Sequence, residues 1–213
     1  MTPIRWALTA LLSILPMHSV HACGASEDDL CKVETGEYRI ALPEGIERPG
    51  AMVWLHGWGG SANGGMRNTG FRDQLAVRGM AYVTADGRIT STRYKNKNWA
   101  VHDGRDYERD DIAFLTELID DLVTRHGIDR ERILLAGFSR GGSMVWDVAC
   151  RAPDLARAYA PVAGAFWEPM WESCEGPVDL FHAHGWTDRT VPLEGRPLGG
   201  GCLLYTSPSP RDS

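Results

Sequence analysis

Hydrophobic and polar positions follow two alternating periods along this 213-residue chain. Residues 37–42 alternate apolar and polar like an edge strand, and 51–55 form a short apolar run that suits a buried strand. A helix is expected at 71–78, stopped by Gly79, and another strand at 81–85 before the Asp86-Gly87 turn. Residues 87–104 are polar and irregular, with Trp99 among them. The clearest helix covers 106–126. There Ile112, Leu115, Leu118, Ile119, Leu122 and Val123 fall on one stripe, acidic residues crowd the start and Gly127 closes the end. A strand at 133–136, a helix at 142–150 and strands at 158–162 and 178–183 complete the pattern. Strands alternating with helices imply a mostly parallel sheet covered on both faces. No repeat or internal linker interrupts it.

The strand at 133–136 runs into Gly137-Phe138-Ser139-Arg140-Gly141, and a helix follows. This is G-x-S-x-G in the strand, tight turn, helix setting that gives the pattern meaning. A Cβ at either flanking glycine would collide with neighbouring backbone in so sharp a turn. Ser139 is thereby pushed to the apex, and the first amides of the following helix can receive the charge that forms on an attacked carbonyl. In an open sheet of this kind, chemistry gathers beyond the carboxyl ends of the strands. The loop after Leu55, the elbow at Ser139 and Asp188 after the strand at 178–183 all fall there.

Composition narrows the reading. Length and hydrophobicity describe one globular domain with a substantial core. The formal net charge of -6, with no basic stripe, argues against a nucleic-acid partner. Arg5 followed by an apolar stretch at 6–15, too short to span a bilayer, and a small-residue site at Val20-His21-Ala22 read as a secretion signal over 1–22. A lipid-anchored Cys23 is the rival reading, and His21 fits a lipoprotein box poorly. No stable membrane insertion is expected. Four of the five cysteines, Cys23, Cys31, Cys150 and Cys174, agree with export. Of their three pairings, Cys23–Cys31 and Cys150–Cys174 are expected as nearest neighbours. Metal binding lacks a C-x-x-C or H-x-x-x-H spacing.

Four motifs in order carry a resemblance over residues 23–199: Leu55-His56-Gly57-Trp58-Gly59-Gly60, the segment 136–144 around Ser139, Ala160-Pro161-Val162-Ala163-Gly164, and the segment 184–192 containing Asp188. The chain resembles the secreted polyhydroxybutyrate depolymerases and the related feruloyl and acetylxylan esterases, with an α/β-hydrolase fold. The resemblance implies a secreted or periplasmic serine esterase. It would act on small-molecule or polymeric esters of hydroxyalkanoate, hydroxycinnamate or acetate, and need no cofactor or metal. Ser139 would be the nucleophile and Asp188 the acid that orients the base. The backbone N–H groups of Trp58 and Arg140 would form the oxyanion hole. Asp188 as a mere turn cap is the competing reading. Trp58, Trp99, Trp167, Trp171 and Trp186 either line the substrate site or cap the core. His56, His182 and His184 read as structural. A serine peptidase on the same fold and a non-catalytic binding module are the other functional classes. Oligomeric state is not legible.

The pattern also departs from expectation. The chain order of such enzymes is Ser, Asp, His, yet no histidine follows Asp188. Residues 202–212 match one reading frame of a transposase sequencing adapter. The domain is therefore expected to be an incomplete one at 23–199, lacking its last strand and helix. A non-native tail at 200–213 would follow, extended and unpacked, and Cys202 drops out of the cysteine pairing.

Overall fold

Strict alternation along the strands sorts side chains onto two faces of a six-stranded sheet. This computed structural model describes Cys23 and residues 28–89, 95–198 and 202–205. The expected signal segment 1–22 and the rest of the tail lie outside them. The strands are β1 (Cys31–Lys32), β2 (Glu37–Ala41), β3 (Gly50–Leu55), β4 (Met80–Ala85), β7 (Ile133–Phe138) and β8 (Ala158–Val162), with β5 (Arg88–Ile89) and β6 (Lys97–Asn98) forming a separate hairpin. The order across the sheet is β1-β2-β4-β3-β7-β8. The β4, β3, β7 and β8 pairings are parallel, and β1 and β2 are antiparallel. This is the mostly parallel sheet the alternation implies.

Two sets of helices cover the two faces. Ala51, Val53 and Leu55 of β3 and Ile133 and Leu135 of β7 pack with α3 (Asp111–His126) and α4 (Arg140–Arg151). The opposite register positions, Met52, Tyr82 and Ala136, pack with Met66 of α1 (Ala62–Met66) and Leu75 of α2 (Thr69–Ala76). Phe114, Leu115, Leu118, Ile119 and Leu122 of α3 are fully buried. Each such side chain stabilises the fold by about 1.5–3 kcal/mol before the entropy of ordering it is counted.

Some boundaries differ from the sequence expectation. α3 begins at Asp111 rather than 106, because the Asp110 carboxylate accepts from the N–H groups of Ile112 and Ala113 and starts the helix there. Gly127 ends it with φ 67°, as expected of a left-handed cap. The segment expected as a strand at 178–183 lies parallel to β8 but only as separate bridges, Tyr159 to Leu180 and Val162 to Ala183. Its N–H and C=O groups still bond there, with Phe181 N–H donating to Tyr159 O and Ala183 N–H to Pro161 O.

Both expected disulfides are present, Cys23–Cys31 and Cys150–Cys174. Among the described residues no helix is long and apolar enough to cross a membrane. The tail departs from expectation in part. β11 (Cys202–Tyr205) is extended, but it is paired between β10 (Pro197–Leu198) and β9 (Phe166–Trp167) rather than free.

Candidate active site

The turn after β7 is held by backbone packed on backbone. Ser139 has φ 54° and ψ -118°, a conformation that costs about 1–3 kcal/mol for a residue with a side chain. Its N–H donates to Val162 O at 2.9 Å, and its carbonyl accepts from Ser143 N–H at 2.9 Å. A Cβ on Gly137 would sit 2.5 Å from Gly141 O, one on Gly141 would strike the Leu55 carbonyl, and one on Gly164 would strike Gly142. These contacts press the ends of β3, β7 and β8 together beneath the serine. The hydroxyl of Ser139 makes no hydrogen bond among the described residues and is partly exposed. Ser143, one turn on, is the opposite case. It is buried, and its Oγ accepts from Ala165 N–H at 3.2 Å and Trp167 Nε1 at 3.1 Å.

The loop after β3 reaches the same place. A Cβ on Gly57 would lie 3.4 Å from the Ser139 Cβ. His56 fixes this loop from below. Its Nε2 accepts from Gly87 N–H at 3.0 Å, so its proton sits on Nδ1, which donates to Gly57 O at 2.7 Å. Burial holds the His56 imidazole below its ordinary range, consistent with a neutral structural ring. Trp99, fully buried, donates to His56 O at 2.8 Å. Gly59 and Gly60 close the turn through bonds to Lys97 O and Gly57 O. Arg140 opens α4, where no intrahelical acceptor exists for its N–H. Among the described residues the Trp58 N–H likewise meets no backbone acceptor. Both expected oxyanion donors are therefore on segments adjoining Ser139.

The side chain of Arg140 carries a role the sequence did not suggest. Its guanidinium is buried, bonded to Asp103 at 2.6 Å and the Tyr107 hydroxyl at 2.5 Å, and lies over the Trp167 ring at 4.4 Å. Asp147 of α4 is nearby and accepts from His102 N–H at 2.8 Å and Trp171 Nε1 at 3.0 Å. Burial pushes its carboxyl up to about 6, against the opposing pull of these two bonds and of Arg140. A carboxyl raised in the folded state stabilises the fold below the unfolded value near 4. That contribution is lost as pH rises through about 4 to 6, amounting to roughly 3 kcal/mol by neutrality. Asp147→Asn should therefore flatten the wild-type fall in unfolding free energy between pH 4 and pH 7. Equal pH slopes for the two proteins in urea denaturation would refute this account of Asp147.

Asp188 lies in the turn that follows the 178–183 segment, beyond the last bridge of that segment to β8, Val162 to Ala183. Asp188 Oδ1 accepts from Val191 N–H at 2.9 Å and Thr190 N–H at 2.8 Å. These bonds, Val191's above all, hold its carboxyl below the usual carboxylate range, so it is ionised at neutral pH. Its Oδ2 lies 3.7 Å from His184 Nε2. His184 in turn contacts Val191 O at 2.6 Å and His182 at 3.1 Å. His102 stacks on Trp171, and His126 lies beside Tyr38 at the other edge of the sheet. Among the described residues no imidazole bonds to Ser139. Of the tryptophans named from the sequence, Trp58 and Trp186 are exposed, at 60% and 91%. Trp99 is core, and the half-buried Trp167 and Trp171 are tied to Ser143 and Asp147.

The chain is similar to several known proteins. A profile of the prolyl oligopeptidase family matches residues 69–171. The putative esterase NocK of Nocardia uniformis is 31% identical over 160 residues, covering 73% of this chain and 44% of NocK. The probable feruloyl esterase C of Aspergillus flavus is 24% identical over 203 residues, covering 90% of this chain and 71% of the relative. The chain thus spans less than half the length of the first of these relatives. Among solved structures, the Bacillus cereus carboxylesterase superposes with a TM-score of 0.58 at 14% identity, covering 75% of this chain and 74% of that one. Esterase PE8 gives 0.58 at 19%, with 75% and 78% covered. The fold is that of the α/β-hydrolases, and esterases recur among both the sequence relatives and the structural neighbours.

Proposed function

We propose that this chain carries the nucleophile and acid of an exported serine carboxylic-ester hydrolase, whose acyl-enzyme forms on Ser139. The observation that carries this reading is the elbow. Among the described residues the Ser139 hydroxyl on its strained apex meets no partner, the Trp58 and Arg140 N–H groups meet no backbone acceptor, and an ionised Asp188 follows the 178–183 segment. In the first step the Ser139 oxygen attacks the ester carbonyl while a base takes its proton. The Trp58 and Arg140 N–H groups receive the oxyanion, and the alcohol leaves. Water then releases the acid from Ser139. The base in this reading is a histidine of the parent protein beyond residue 199, held by Asp188, and residues 200–213 are foreign to that parent. The two disulfides support an oxidising compartment, periplasmic or extracellular. The acyl group is a hydroxyalkanoate, a hydroxycinnamate or acetate, and the name of the feruloyl esterase relatives favours the second.

The prolyl oligopeptidase match favours a second reading, a peptidase on the same fold. One experiment addresses both. The parent gene, read past residue 199, is expressed and treated with a fluorophosphonate, then assayed on methyl ferulate, p-nitrophenyl acetate and a peptide p-nitroanilide. A single adduct on the Ser139 peptide with ester turnover is expected. An adduct elsewhere refutes the site, and faster anilide than ester cleavage gives the peptidase.

A further inference from the structure

At the edge of the sheet remote from Ser139, the first disulfide lies against the end of α3. His126 Nε2 is 3.7 Å from Cys23 Sγ and 3.8 Å from Cys31 Sγ. The three atoms lie within 4.8 Å of one another. We propose that Cys23, Cys31 and His126 form a zinc site when the disulfide between the two cysteines is opened by a low-molecular-weight thiol. Two such thiols become a disulfide and hand two electrons and two protons to the Cys23–Cys31 bond. The resulting protein thiols lose both protons when the ion binds.

The geometry favours this ion. Tetrahedral zinc with Zn–S of about 2.3 Å and Zn–N of about 2.0 Å sets S···N edges near ~3.5 Å and an S···S edge near ~3.8 Å. The two S···N separations are already close to that. Only the sulfurs must part, from bonded contact to non-bonded contact. Cys31 is fully buried, while Cys23 and His126 are half-buried, so an ion would be shielded yet reachable. Nε2 now faces the Tyr38 hydroxyl at 3.0 Å, and that hydroxyl donates to Asp121 at 2.5 Å. Ligation through Nε2 leaves the ring proton on Nδ1 and frees the phenol or a water for the fourth position.

Charge supports the same conclusion. Arg125 donates to Cys23 Sγ at 3.0 Å and pairs with Asp121 at 2.9 Å. In the oxidised state the neutral disulfide sits beside one cation and one anion. In the reduced state two thiolates add two negative charges, and a divalent ion restores balance. Arg125 lowers the cost of forming the Cys23 thiolate. His126 also ends α3, where the helix carries partial negative charge that favours a cation. The spacing of the cysteines conceals all this, because His126 is 95 residues from Cys31.

The test uses the whole chain, reduced anaerobically with a phosphine, which takes oxygen from water, becomes the phosphine oxide and does not itself chelate zinc as a thiol would. Zinc is titrated against a chromophoric chelator, and cysteine alkylation is mapped by peptide with and without zinc. One zinc per reduced chain and none per oxidised chain are expected, with alkylation of Cys23 and Cys31 slowed at least about tenfold and Cys150 and Cys174 unaffected. Loss of an outer partner of a zinc ligand alone costs about 10–100-fold in affinity, so His126→Ala, which removes a ligand outright, should weaken binding by about a hundredfold or more. Absence of zinc binding, protection centred on Cys150 and Cys174, or wild-type affinity in His126→Ala would each overturn the site. Should His126→Ala fail to fold, the wild-type protection map alone decides.

Discussion

Replacing Ser139 with alanine in the parent protein should lower kcat for ester hydrolysis by about a millionfold and abolish phosphonate labelling. Removing the nucleophile of a catalytic triad has an effect of this order, because the remaining members act only through it. Binding and the oxyanion hole leave a residue of about 10³–10⁴-fold over water. The substitution should scarcely disturb the fold. Ser139 contributes no side-chain cap to α4, and alanine keeps the backbone bonds to Val162 and Ser143. Ser143→Ala is the informative control. It strands the buried Ala165 N–H, which costs about 1–3 kcal/mol when unpaired, and the half-buried Trp167 Nε1. A fall in stability without comparable loss of labelling is expected there. Labelling that persists in Ser139→Ala would remove Ser139 from the mechanism.

The second large effect should come from Asp188→Asn, at about ten-thousandfold in kcat, the cost of leaving a triad base in the wrong tautomer without its countercharge. This substitution separates two roles. Asparagine keeps a carbonyl oxygen to accept from Thr190 and Val191, so the turn that Asp188 caps survives. What disappears is the negative charge and one acceptor face. If Asp188 serves only as a turn cap, the variant should retain activity within about tenfold of wild type, measured as initial rates on a p-nitrophenyl ester. That result would sink the catalytic assignment while leaving the elbow untouched.

The parts of the site that were legible in the sequence are those written in contiguous residues. Gly137 to Gly141 is one such run, and the structure gives it the strained apex the glycines require. The position of Asp188 at the carboxyl end of the sheet also follows from strand order alone. The buried clamp on Arg140 was not legible, because Asp103 lies 37 residues upstream in a stretch with no periodicity. Nothing in local pattern pairs a cation with so distant an anion. α1 was missed for a local reason. Gly64 and Gly65 weigh against a helix, and it forms only because Ser61 caps it and buried Asp86 accepts the Ala62 N–H. The start of α3 was misplaced because residues 106, 110 and 111 are all aspartates, any of which can cap, and tertiary contact chose Asp110. The ladder at 178–183 is thinner than its apolar run suggests, since the run itself does not determine how many partners a strand finds.

The contact of Gly137, Gly141, Gly142 and Gly164 with one another and with the carbonyls of Leu55 and Val162 has an evolutionary side. It fixes Ser139 through main-chain atoms, which every amino acid shares. The height of Ser139 above the sheet then does not depend on which apolar residues fill the layers beneath it. Lineages can exchange core side chains, and lengthen or recolour the loops bearing Trp58 and Trp186, without retuning the reacting oxygen. A single methyl group added at Gly141 would be less tolerated than wholesale replacement of a neighbouring loop. Change at the rim is thus uncoupled from the position of Ser139 beneath it.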